Sequence, residues 1–245
     1  SLEGRDIGQD FAGKAGWRMY HGDVVPGFPG HPHRGFETVT IVLDGFVDHS
    51  DSHGASGRYG MGDVQWMTAG SGLQHAEMFP LLNQDRPNRL ELFQIWLNLP
   101  AEKKFVKPFY KMLWAEDMAR VSFQDGQGHE TQVILVAGEL NQVRALPPAP
   151  DSWAADPHNQ VAIWLIAMEA NARWNLPVAA EKVTREIFFY EGDQLVIGNN
   201  RIPANHKFGI DSTRSFEVQA GNQPARLLLL QARPIAEPVV QYGPF

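Results

Sequence analysis

No apolar run in this chain is longer than a β-strand. The longest candidates, such as Leu227-Leu228-Leu229-Leu230, are strand-sized, far short of the roughly 18 residues that suggest a membrane span. Turn formers cut the chain at short intervals, with 23 Gly and 17 Pro among 245 residues. That density suits short strands and tight turns better than long helices. Phe36-Glu37-Thr38-Val39-Thr40-Ile41-Val42-Leu43 is β-branched and aromatic and stops at Asp44-Gly45, a hairpin signal, with Phe46-Val47-Asp48-His49-Ser50-Asp51 as the returning strand. Residues 54–60 read as a turn and Asp63-Val64-Gln65-Trp66-Met67 as another short strand. Residues 91–99 alternate, which assigns Phe93, Ile95, Leu97 and Leu99 to a core face and Leu92, Gln94, Trp96 and Asn98 to the opposite one. Further strands are expected at 132–136, 161–167, 186–190, 194–197 and 227–230, and helices only at 100–105 and 114–120. Short strands at this spacing predict an all-β sandwich or barrel. The turn-rich Gln124-Asp125-Gly126-Gln127-Gly128-His129 divides the chain into two β domains, residues 1–125 and 126–245.

Composition removes several classes of chemistry. With no Cys, a disulfide scaffold, a thiolate zinc site, an iron–sulfur cluster and a Cys nucleophile are all excluded. Any metal must be held by His, Asp or Glu. The 28 acidic residues outnumber 21 basic ones, and no basic run is longer than Lys103-Lys104. A phosphate backbone meets net repulsion, so direct nucleic-acid binding is disfavoured. No membrane span is expected, and the polar Ser1-Leu2-Glu3-Gly4-Arg5-Asp6 has no signal-peptide pattern, which makes a cytoplasmic location the expectation.

Two short segments carry the chemistry. Gly30-His31-Pro32-His33-Arg34-Gly35 is followed some 40 residues later by Gly72-Leu73-Gln74-His75-Ala76-Glu77. In extended backbone, residues two apart share a side, so His31 projects with His33 and His75 with Glu77. Neither pair alone is informative, since a lone His-x-His in a Gly/Pro-rich stretch is ordinarily a surface feature. Together they flank expected strands and sit beside glycines that permit close backbone approach. On neighbouring strands they converge as three imidazoles and a carboxylate, a set suited to Fe(II), Mn, Co, Ni, Cu or Zn. The remaining histidines take plainer readings. His49-Ser50-Asp51-Ser52-His53 is expected to be a solvated hairpin strand, His21 a surface residue, and His129, His158 and His206 loop residues. Glu37 reads as a structural or supporting acid. No Gly-x-Ser-x-Gly elbow occurs, and Gly70-Ser71-Gly72 is too short for a phosphate loop.

The segments His31-Pro32-His33-Arg34-Gly35-Phe36-Glu37-Thr38-Val39, Gly62-Asp63-Val64-Gln65-Trp66-Met67-Thr68-Ala69-Gly70 and His75-Ala76-Glu77-Met78 strongly resemble the pirin family. The closing Glu237-Pro238-Val239-Val240-Gln241-Tyr242-Gly243-Pro244-Phe245 is similar as well. The resemblance is dense over 26–100 and poor over about 140–225. It implies a bicupin, two antiparallel jelly-roll barrels packed face to face with few short helices. It also implies one divalent transition metal, Fe(II) before Mn, Co, Ni, Cu or Zn, on His31, His33, His75 and Glu77 in the N-terminal domain. In the general cupin pattern Gly45 holds the Gly position, while the Glu position falls on Thr38, so Glu77 is the better fourth ligand. The second half has no His-x-His before Glu186-Ile187-Phe188-Phe189-Tyr190-Glu191-Gly192, and its barrel is expected to lack a metal. The stretch from Trp17 to His21 departs from the commonest pirin opening.

The activity implied is like that of quercetin 2,3-dioxygenase: opening of a flavonol's heterocyclic ring by O2 with release of carbon monoxide. The substrate implied is a small flavonol-like aromatic. Glu77 is then the catalytic residue, shifting from ligand to general base, with Phe36, Met67, Met78 and Phe93 as candidate walls. The alternative implied by the same family is a non-enzymatic, iron- or redox-responsive regulator that binds a protein partner. A structural bicupin with a vestigial site is a third reading, disfavoured because all four ligand types are present.

Overall fold

The computed structural model describes residues 13–14, 17–18 and 26–239. His21, Trp17 to Tyr20 as side chains, and the last six residues of the C-terminal motif lie outside the described side chains. The chain divides into two compact units, Ser1–Ala115 with Glu237–Phe245, and Glu116–Ala236. Both are built from antiparallel strands, and the only helical pieces among the described residues are three 3-10 turns. The turn-rich run at 125 is a hairpin inside the second unit, joining strands that pair Gln124 with Glu130.

Apart from two-residue ladders, the first unit holds β1 (Gly27–His33), β2 (Phe36–Asp44), β3 (Phe46–Asp51), β4 (Ser56–Gly60), β5 (Val64–Thr68), β6 (Leu73–Met78), β7 (Glu91–Asn98) and β8 (Phe109–Leu113). They form two four-stranded sheets, ordered β8-β5-β2-β7 and β1-β6-β3-β4. The hairpin expected at Asp44-Gly45 joins β2 to β3. Gly45 has φ +79°, and a Cβ there would lie 2.3 Å from the Arg89 carbonyl oxygen, so the close turn admits no side chain. The turn expected over 54–60 is instead partly strand, because Ser56 to Gly60 pair along β3. The helix expected over 100–105 shrinks to a 3-10 turn, Ala101–Lys103, and 114–120 forms no helix. Both stretches are too short to repay the cost of nucleating one.

β2 is central in its sheet, and its two faces differ in character. Val39 and Ile41 face one way with Glu37, whose Oε1 accepts from Trp66 Nε1 at 3.1 Å and Thr68 Oγ1 at 2.7 Å. Glu37 is thus a buried structural acceptor. Glu37→Ala strands two buried donors and is expected to cost about 2–6 kcal/mol in urea unfolding, while Glu37→Gln keeps the acceptor and costs much less. Equal losses in the two variants would contradict this role.

The second unit holds β9 (Arg120–Gln124), β10 (Glu130–Ala137), β11 (Ala162–Met168), β12 (Arg173–Leu176), β13 (Thr184–Glu191), β14 (Gln194–Ile197), β15 (Asn200–Pro203), β16 (His206–Gly209), β17 (Phe216–Ala220) and β18 (Ala225–Ala232). Its sheets run β9-β10-β11-β18-β13-β16 and β12-β17-β14-β15. The core between them is apolar, including Leu135, Trp164, Trp174, Ile187, Phe189, Leu195, Leu227 and Leu229. The first unit's interior is different, and there the two histidine segments meet.

Candidate metal centre

β1 is an edge strand, which tolerates its two prolines because their missing N–H groups break no ladder. It pairs with β6 through a one-residue bulge: Phe28 faces Glu77, but His31 faces His75. The bulge brings His31 directly across from His75, and strand alternation adds His33 and Glu77 on the same side. His31 Nε2 lies 2.9 Å from His75 Nε2 and 3.1 Å from His33 Nε2. Ligand atoms of the three histidines lie within 4.8 Å of one another. The Glu77 carboxylate lies outside that group. Its Oε2 accepts from Gln94 Nε2 at 3.0 Å, and its Oε1 is buried without a hydrogen-bond partner.

The proton inventory shows why this cluster fits a cation. The Pro29 carbonyl oxygen is 2.7 Å from His31 Nδ1 and can only accept, so the proton of neutral His31 sits on Nδ1 and its Nε2 is a bare lone pair. That lone pair points at two further imidazole nitrogens at closer than 3.2 Å. Ligands about 2.1 Å from one ion at right angles stand about 3 Å apart, matching these separations. The donor set of three imidazoles beside a carboxylate suits a divalent transition ion.

Electrostatics keep the imidazoles ready to ligate. Burial pulls His33 from 6.5 down to about 4, with His31 adding to the shift. Burial also pushes His75 far below its ordinary value, helped by His31, His33 and His49. His31 and His49 are lowered by burial too, against opposing hydrogen bonds from Pro29 and Asp51. Burial raises Glu77 from 4.5 to about 7, opposed by its bond to Gln94. In the metal-free protein below pH 6.5, the unfolded chain takes up imidazole protons that the folded one refuses. Glu77 acts oppositely between 4.5 and about 7, but one carboxyl is outweighed by four imidazoles. Thermal midpoints measured in chelator are therefore expected to fall as pH drops from 6.5 towards 4; a flat or rising profile would contradict the buried cluster.

Several side chains occupy places the sequence did not suggest. His49 is not solvated. It is buried, its Nδ1 is 3.5 Å from His75 Nδ1, and its ring stacks on Tyr110 at 5.0 Å. The inner face of β7 is the polar one: Gln94 reaches Glu77 and Thr40, while Trp96 packs 4.8 Å from Phe36 and 5.9 Å from His33. Phe93 pairs with Ile41 on the opposite face, and Met78, 42% exposed, alternates away from Glu77. Neither is a wall of the site. Phe36 does border it, 5.0 Å from His33, and Phe28 packs edge-on to His31 at 6.3 Å. Tyr59 was also missed; burial and nearby Glu77 raise its hydroxyl well above the ordinary value. The available signal was the spacing His49-x-Asp51, the same two-residue step as His75-x-Glu77.

Two barrels of short antiparallel strands, one with a histidine cluster on facing strands, define a bicupin. Residues 8–97 match the Pirin family and residues 163–245 the Pirin C-terminal cupin domain. A Pseudomonas aeruginosa protein with a provisional quercetin 2,3-dioxygenase name is 37% identical over 88% of this chain and 71% of its own. A pirin-like protein of Caulobacter vibrioides is 36% identical over 91% of this chain and 75% of its own. The crystal structure of quercetin 2,3-dioxygenase from Acinetobacter baumannii superposes with a TM-score of 0.77 at 29% identity, covering 94% of this chain and 75% of that one. The chain belongs to the pirin family. Among its described residues, no helix is long and apolar enough to cross a membrane.

Proposed function

We propose that the chain is a metal-dependent dioxygenase that opens a flavonol or a similar enolic aromatic with O2, releasing carbon monoxide. The ligands proposed are His31, His33, His75 and Glu77, with Fe(II) as the ion and Mn, Co, Ni, Cu and Zn as competitors. The observation that carries this reading is the convergence of imidazole lone pairs beside a buried carboxyl and an aromatic rim. The relatives named for quercetin 2,3-dioxygenase support the choice of substrate class.

When bound, the ion supplies Lewis acidity towards the substrate's enolate oxygen and a redox partner for O2. The chain's own residues do the rest. Glu77 Oε1, buried with no partner, accepts the proton of the substrate hydroxyl. Gln94 holds Oε2, and its own amide is oriented by Trp96 Nε1 donating to its Oε1 at 3.4 Å. Phe28, Phe36 and Trp96 flank His31 and His33 and offer faces to a flat ring. His31, on the edge strand and only half-buried, is the open side of the centre. In the second barrel, an apolar core supports a packing role with no metal.

The test loads the purified protein with Fe(II), adds quercetin in air, and follows flavonol absorbance together with carbon monoxide. Loss of absorbance matched by carbon monoxide is expected. Absence of turnover with Fe, Mn, Co, Ni and Cu alike would overturn the enzyme reading in favour of a regulator that binds a protein partner.

A further inference from the structure

We propose that His49 and Asp51 are positioning residues that fix the tautomer and orientation of His75, an inference that rests on the metal centre proposed above. β3 lies beside β6, with Asp51 opposite His75 and His49 opposite Glu77. A line of contacts runs inward from Asp51. Its Oδ1 accepts from the backbone N–H of His53 at 2.8 Å and of Ala55 at 3.1 Å, which clamps the carboxylate. Its Oδ2 lies 3.3 Å from His49 Nε2, and His49 Nδ1 lies 3.5 Å from His75 Nδ1. The His49 and Asp51 side chains are 0% and 2% exposed, so water does not compete for these contacts.

One proton arrangement satisfies the whole line. A carboxylate accepts and never donates, so His49 carries its proton on Nε2. Neutral His49 then presents a bare Nδ1, which accepts from His75 Nδ1–H. His75 is left with an Nε2 lone pair, aimed at His31 Nε2 2.9 Å away. Each step forces the next, and the outcome is the tautomer a metal ligand needs. Outer partners of ligating histidines act this way generally, fixing ring orientation and raising basicity. Tyr110, stacked on His49 with 25° between ring planes, holds the intermediate ring in place.

The test uses full-length protein with 15N-labelled histidine and Zn(II) as a diamagnetic probe. Long-range 15N–1H spectra of the wild type, with and without Zn(II), are expected to show His49 protonated on Nε2 and His75 on Nδ1. Asp51→Asn keeps the clamping carbonyl but turns a donor towards His49, reversing its tautomer and setting two N–H groups against each other. His49→Phe keeps a ring against Tyr110 and removes both nitrogens. Each variant is expected to weaken Zn(II) binding by about 10- to 100-fold in chelator competition. A wild-type His49 protonated on Nδ1, or affinities within about twofold of wild type in both variants, would overturn the relay. Wild-type protein that binds no Zn(II) would instead overturn the metal centre itself.

Discussion

His75→Ala is expected to abolish turnover and to weaken metal binding by more than the about 100-fold upper range for losing an outer partner of a ligand. His75 is the hub of the cluster. It faces His31 Nε2 at 2.9 Å, packs 4.8 Å from the His33 ring, and reaches His49 on its far side. Its removal deletes a ligand and disconnects the Asp51–His49 pair at once. The fold should survive, because the deleted imidazole is one whose lone pair opposes its neighbours when no cation is present. Metal-free His75→Ala is thus expected to melt at or above the metal-free wild type. Added ion at 100 times the wild-type Kd stabilises the wild type by about 2.7 kcal/mol and should leave the variant unmoved. A variant that still melts higher with metal would show that the ion is held elsewhere.

Glu77→Gln is expected to lower kcat by about 100- to 10,000-fold with saturating metal, the range for removing a general base. The introduced amide matches the carboxyl in size but takes up no proton. Gln94 Nε2, 3.0 Å from Oε2, keeps one carbonyl acceptor to bind, so the side chain stays in place. KM should change little, since the aromatic rim of Phe28, Phe36 and Trp96 is untouched. Metal content measured in the same samples separates loss of a ligand from loss of a base. Full metal occupancy with near-normal kcat would remove Glu77 from the proton step.

The histidine pairs were legible because strand alternation is a property of the backbone, so His31 and His33, like His75 and Glu77, had to share a side wherever their strands ran. What brings the pairs together was not. The one-residue bulge between Phe28 and His31 sets His31 across from His75, and a bulge depends on how an edge strand containing Pro29 and Pro32 bends against its neighbour. Gln94 and Trp96 were placed on the wrong face because the hydrophobic-in rule presumes an apolar interior. Here the first barrel encloses polar chemistry, with buried Thr38, Tyr59, Gln65 and Glu77 all carrying unpartnered side-chain atoms. Local rules fail where function overrides packing. His49 was misplaced for a related reason: its hairpin alternates polar residues on both sides, so spacing alone could not say which side is enclosed. In the second unit, by contrast, the strand expected over 227–230 forms within Ala225–Ala232, and its Leu227 and Leu229 join an apolar core.

The most direct test is anomalous diffraction from crystals of the full chain grown with Fe(II) under anaerobic conditions. One strong peak is expected in the first barrel, in bonding contact with Nε2 of His31, His33 and His75, with the Glu77 carboxylate turned to meet it. A peak at other side chains, or an iron-loaded crystal with none between those three imidazoles, would contradict the account.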